Sequence, residues 1–129
     1  MSITHITTLR NEVVNLIVDK VDLGSANAQG RIYIKNASGS TLVILNMSNP
    51  AFGAAATGIA IANTISNGTV ILAGTAATFS IVDRDEATVF SGTVGALGSG
   101  ADLEADGLTL AMTVGQVIPI SSFTYNGFN

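Results

Sequence analysis

A chain of 129 residues with 5 basic and 9 acidic side chains, net charge −4, has the length for one domain around one hydrophobic core. Hydrophobic residues make up 47% of it and charged residues only 11%, under half the roughly 25% usual in soluble domains; this excludes a disordered chain, and five scattered positive charges cannot track a phosphate backbone. There is no cysteine, which removes disulfides, thiolate metal ligands and cysteine nucleophiles.

Met1 to Leu9 has no basic stretch followed by an apolar core, so no targeting signal is expected. No run reaches the roughly 18 apolar residues of a membrane span. A single domain over 1–129 is expected, with an amphipathic helix over 6–22 and a β-sandwich over 30–125.

In the helix, Ile6, Leu9, Val13, Leu16, Ile17 and Val21 recur at three- and four-residue steps and form one apolar stripe. Thr7 or Thr8 can cap its start and Gly24 can stop it. Val14 and Val18 flank the stripe and widen it beyond what one small sheet face needs. The stripe is therefore expected to pack on the chain's own sheet, and Val14 and Val18 to touch a neighbour.

After Gly30 the period changes from 3.6 to 2. Arg31 to Lys35 alternates, Asn36 to Ser40 is a turn, and Thr41 to Met47 is apolar on both faces, which predicts a central strand. Pro50 follows the strand, ending it. Gly58 to Ile65 alternates weakly, and Asn67-Gly68 is a two-residue hairpin signal leading into Thr69 to Leu72. Thr75 to Val82 and Ala87 to Val94 flank the turn Asp83 to Glu86. Gly95 to Gly100 reads as a loop, Ala101 to Glu104 as a short strand, Leu108 to Val114 as a strand, Gly115-Gln116 as a turn and Val117 to Tyr125 as the last strand. One helix and about eight short strands predict a mainly β chain, an antiparallel β-sandwich or Greek-key barrel.

Chemistry-bearing groups are few. His5 is the one histidine and has no predicted partner, so no nucleophile–base pair can be built on it. Asp83, Asp85 and Glu86 are close enough to suggest calcium, but the turn lacks a ligand-spaced loop and reads as a solvated tip. Asp102, Glu104 and Asp106, spaced by two, share one face of an extended strand and are weak candidates for holding a cation or meeting a basic partner. Gly92, Gly95, Gly98 and Gly100 lack the helix and lysine of a phosphate loop. No catalytic residue, resident metal or cofactor is expected. Residues 36 to 82 and 107 to 129 supply several strands without one charge, and such uncharged sheet surface invites self-association.

Four segments in order, Thr8-Leu9-Arg10-Asn11 to Asp22, Ser48-Asn49-Pro50-Ala51-Phe52-Gly53 to Ala60, Gly74 to Phe79 with Val89 to Val94, and Val117 to Tyr125, resemble a family of small structural proteins of tailed phages. The chain departs from that pattern at 36 to 41, where the first hairpin is shorter and lacks a proline-containing insertion. The resemblance implies a virion structural protein made in the host cytoplasm, first of all a capsid decoration (cement) protein. Its partners would be the major capsid protein and its own copies, a trimer being favoured, with neither nucleic acid nor membrane. Val14 and Val18 would then be the oligomer or capsid contact. The alternatives are a head–tail connector, tail or fibre-attachment protein, or a carbohydrate- or surface-binding β-sandwich.

Overall fold

The structure, a computed structural model, describes residues 3–96, 98–105, 110–120 and 122–126. It is mainly β with one N-terminal helix and a sandwich-like arrangement of short strands. Helix α1 runs Thr7–Asp19 and continues as a 3₁₀ turn over Lys20–Asp22. Neither Thr7 nor Thr8 caps it: Ile6 holds the cap position, with no side-chain hydrogen bond to the helix.

The main sheet has five strands in the order β2-β1-β6-β7-β8, built from β1 (Arg31–Lys35), β2 (Thr41–Asn46), β6 (Thr78–Val82), β7 (Thr88–Ala96) and β8 (Leu103–Ala105). Alternation decides β1: Ile32 and Ile34 are buried while Arg31, Tyr33 and Lys35 are only partly covered. Strand β2 is terminal in this ladder, not central. It is nonetheless apolar on both faces, because the chain over 66–72 covers its outer side. Ser66 N–H donates to Asn46 O at 2.8 Å and Ile71 N–H to Leu42 O at 2.8 Å.

Three short pairs complete the fold: β3 (Ile59–Ile61) with β11 (Thr124–Asn126), β4 (Gly68–Thr69) with β10 (Val117–Ile118), and β5 (Gly74–Thr75) with β9 (Ala111–Met112). The last two are parts of one antiparallel ribbon, since Gly115 N–H donates to Val70 O at 2.9 Å and Val70 N–H to Gln116 O at 2.8 Å between them. The expected hairpin at Asn67-Gly68 does not form. Gly68 lies inside β4, where a Cβ would stand 2.5 Å from the Ile44 carbonyl oxygen. It is glycine for close approach of two backbones, not for a left-handed turn. The expected last strand is divided into β10 and β11, with Pro119 between them unable to donate to a ladder.

Helix α1 packs over β3 and β11. Two asparagines clip it down: Asn11 Oδ1 accepts from Gly58 N–H and Asn15 Oδ1 from Ala55 N–H, both at 2.8 Å. Val14, Val18 and Val21 face inward, and one continuous core unites them with Ile32, Ile34, Leu42, Leu45, Ile81 and Ile118. The helix is therefore rotated from the sequence expectation: of the predicted stripe Val21 is buried and Val13 and Ile17 are half-buried, but Ile6, Leu9 and Leu16 face outward. Val14 is 0% and Val18 1% exposed, buried in their own subunit and closed to any neighbour, while Leu16 of the predicted inner stripe is 61% exposed.

Candidate functional site

The acidic turn is a latch. Asp83 Oδ1 accepts from Asp85 N–H and Ala87 N–H, both at 2.9 Å, which shapes the turn between β6 and β7. Asp85 Oδ1 reaches the segment after the helix and accepts from Ser25 N–H and Ala26 N–H at 2.9 Å. Glu86 takes the Arg31 guanidinium and the Tyr33 hydroxyl. Gly24, at φ +116°, gives the room, since a Cβ there would meet the Asp85 carboxyl at 2.8 Å. This corrects the reading of a merely solvated tip: these carboxylates already have partners within the chain.

The Ser25 and Ala26 N–H groups hold the Asp85 carboxyl below its ordinary value, with Arg84 adding a smaller pull the same way. A lowered folded-state value stabilises the fold above the ordinary aspartate range of about 4, and the contribution is lost as pH falls through the folded value. In urea titrations the wild type is therefore expected to lose more stability between about pH 5 and pH 2.5 than Asp85→Asn, whose side chain does not ionise. Equal losses would show that the latch does not depend on the charge. Asp22 acts in the opposite sense: burial raises its value despite the Ala51 N–H donated to its Oδ1 at 2.8 Å, so its ionised form opposes folding.

Of the second acidic cluster, only the Asp102 side chain lies within the described residues. Asp102 Oδ2 accepts from Thr93 N–H at 2.9 Å and from the Thr93 hydroxyl at 3.0 Å, and these bonds lower its value. They staple β8 alongside β7 in a parallel pair closed by only a short loop, where parallel neighbours usually need a crossover of a dozen residues or more. Glu104 lies in β8 opposite Gly95, and Asp106 lies outside the described residues. Among the described residues no group of three His, Asp or Glu side chains could hold a metal ion. His5 precedes α1 and is partly buried.

Besides the ribbon that leaves Ile71, Leu72, Val114 and Val117 exposed, two features among the described residues remain as candidate contact sites. One is the outward helix stripe of Ile6, Leu9 and Leu16, three large apolar side chains in water. The other is a cleft of about 270 Å³ lined by Phe79, Phe90, Phe123 and Tyr125 with the Asp102 carboxylate. Its rings meet at steep angles: Phe79 and Phe123 at 78° with centroids 5.4 Å apart, Phe90 and Tyr125 at 62° and 4.9 Å. Sequence reasoning missed this cleft. The one local signal was the hairpin 75–94, whose register puts Phe90 opposite Ile81 and Gly92 opposite Phe79.

Searches of family models, characterised proteins and solved structures return no match to this chain. Among the described residues no helix is long and apolar enough to cross a membrane.

Proposed function

We propose that this chain is a non-enzymatic structural protein of a tailed-phage virion, a decoration protein seated on the capsid lattice. The observation that carries the reading is the outward stripe of α1, with Leu16 61% and Leu9 41% exposed on a helix whose other face is already spent on the core. Apolar side chains aligned over about two turns and left in water mark a protein contact. The resemblance of the four segments to small phage structural proteins supplies the kind of contact, and the major capsid protein is the partner. The ribbon over 68–76 and 110–118 supports self-association. It is uncharged and leaves Ile71, Leu72, Val114 and Val117 exposed. A closed symmetric trimer would cover it.

The test is the double variant Leu9→Glu/Leu16→Glu, added to undecorated capsids. Surface changes of this kind cost within about 0.5 kcal/mol, so the far-ultraviolet spectrum and Tm are expected to hold. Capsid retention is expected to fall at least tenfold, as burying two carboxylates in an apolar contact demands. Retention equal to wild type would overturn the reading. A single-chain mass in light scattering at micromolar concentration would overturn the trimer.

A further inference from the structure

We propose that the cleft between β6, β7 and β11 is a seat for one organic cation, the guanidinium head of an arginine presented by a protein partner. The assignment stands on the cleft alone and does not rest on the virion reading.

Among the described residues its lining sets four aromatic rings beside the polar Ser91, Thr124 and Asn126, and its one charged member is Asp102. A cation is attracted both by a ring face and by a carboxylate, and planar guanidinium matches both. Phe79 and Phe123 are buried, so the rings a ligand can reach are the half-buried Phe90 and Tyr125, set at 62° to each other. Among the described residues no basic side chain lines the cleft to neutralise Asp102 from within.

The carboxylate is held in place. Thr93 fixes Oδ2 through two hydrogen bonds, and Gly92 beneath it has no side chain to intervene. A Cβ at Gly92 would lie 2.8 Å from both Asp102 Oδ2 and Phe79 Cε1, so the absent methyl brings carboxylate and ring together. The same Thr93 bonds favour the ionised form of Asp102. Size sets the class of ligand: about 270 Å³ falls below the roughly 300–1,000 Å³ of sites for drug-sized molecules. A side-chain head fits that space and an oligosaccharide does not. The net charge of −4 attracts a basic partner to the approach.

The experiment titrates the purified full-length protein with N-acetyl-arginine amide at constant ionic strength, read by ¹H–¹⁵N and aromatic NMR shifts. The comparison probe is the citrulline analogue, which has the same shape and no charge. Saturable shifts at Phe90, Ser91 and Tyr125 are expected with the arginine probe and at least tenfold weaker binding with citrulline. Asp102→Asn keeps an oxygen for Thr93 and removes the charge, and should weaken binding by a similar factor. Ser91→Lys, on the exposed side of β7, supplies a competing cation and should abolish the shifts even if Asp102→Asn proves unstable. No saturable shift up to about 100 mM overturns the proposal, as does equal binding of citrulline. Tetramethylammonium binding in preference to the arginine probe overturns the protein partner and assigns the cleft to free quaternary ammonium.

Discussion

Val18→Asp is expected to leave no stably folded protein at 25 °C, while Leu16→Asp, two residues earlier on the same helix, is expected to shift Tm by less than about 3 °C. Val18 is 1% exposed and stands among Val14, Val21 and the strands of the core. A lone carboxylate there loses its hydration with no cation beside it, which costs several kcal/mol. The lost burial of the valine adds about 1.5–3 kcal/mol. Together these approach the 5–15 kcal/mol of total stability of an ordinary domain. Leu16 points into water, so the same change there exchanges one solvated side chain for another. Urea titration followed by circular dichroism separates the two. Equal damage from both changes would mean that α1 is enclosed on both sides, and an intact Val18→Asp would mean that it faces the other way.

The second large effect belongs to Gly68→Ala. The added methyl would lie 2.5 Å from the Ile44 carbonyl oxygen, 2.7 Å from Val43 Cγ2 and 3.1 Å from Leu45 Cγ. The two side chains can rotate, but the carbonyl belongs to the backbone of β2 and moves only with the sheet. Overpacking against a side chain costs about 1–3 kcal/mol, and against a strand backbone the loss is expected above about 3 kcal/mol. Gly39→Ala is the control: at φ +89° with nothing within 4 Å of the new methyl, it carries only the conformational penalty of about 1–2 kcal/mol. The two midpoints in urea should differ accordingly. A Gly68→Ala no worse than Gly39→Ala would show that β2 and β4 are not in backbone contact.

What was legible in the sequence was what neighbours along the chain decide. Alternation placed β1, and the turn at Asp83 to Glu86 placed the β6–β7 hairpin. The helix was legible in extent but not in facing. Val14 and Val18 form a second apolar row beside the stripe of Ile6, Leu9, Val13, Leu16, Ile17 and Val21, and spacing alone does not show that the buried face runs through Val14, Val18 and Val21. Asn11 and Asn15 gave no sign of lying on the packed side, because their side-chain oxygens serve the backbone at Gly58 and Ala55, 40 or more positions away. Asn67-Gly68 carried the composition of a turn, yet Gly68 and Thr69 pair with Ile118 and Val117, beyond the reach of any local signal. The cleft was hidden for the same reason: Phe79 and Phe90 meet Phe123 and Tyr125 only once the last strand is in place. The Asp102 staple was invisible too, since it follows from a parallel pairing that short connections rarely allow.

The seating of α1 has a consequence for synthesis. The helix is made about 100 residues ahead of part of its own floor, β11, Thr124–Asn126. Its other support, β3, is itself paired with β11 in register Ala60 to Tyr125. The side of α1 that carries Val14 and Val18 is thus not fully covered until β11 has been made and has docked. Contacts this distant in sequence slow folding and leave apolar surface uncovered meanwhile. The main sheet, complete by Ala105, can form ahead of this step, but the core beneath the helix closes only when β11 docks.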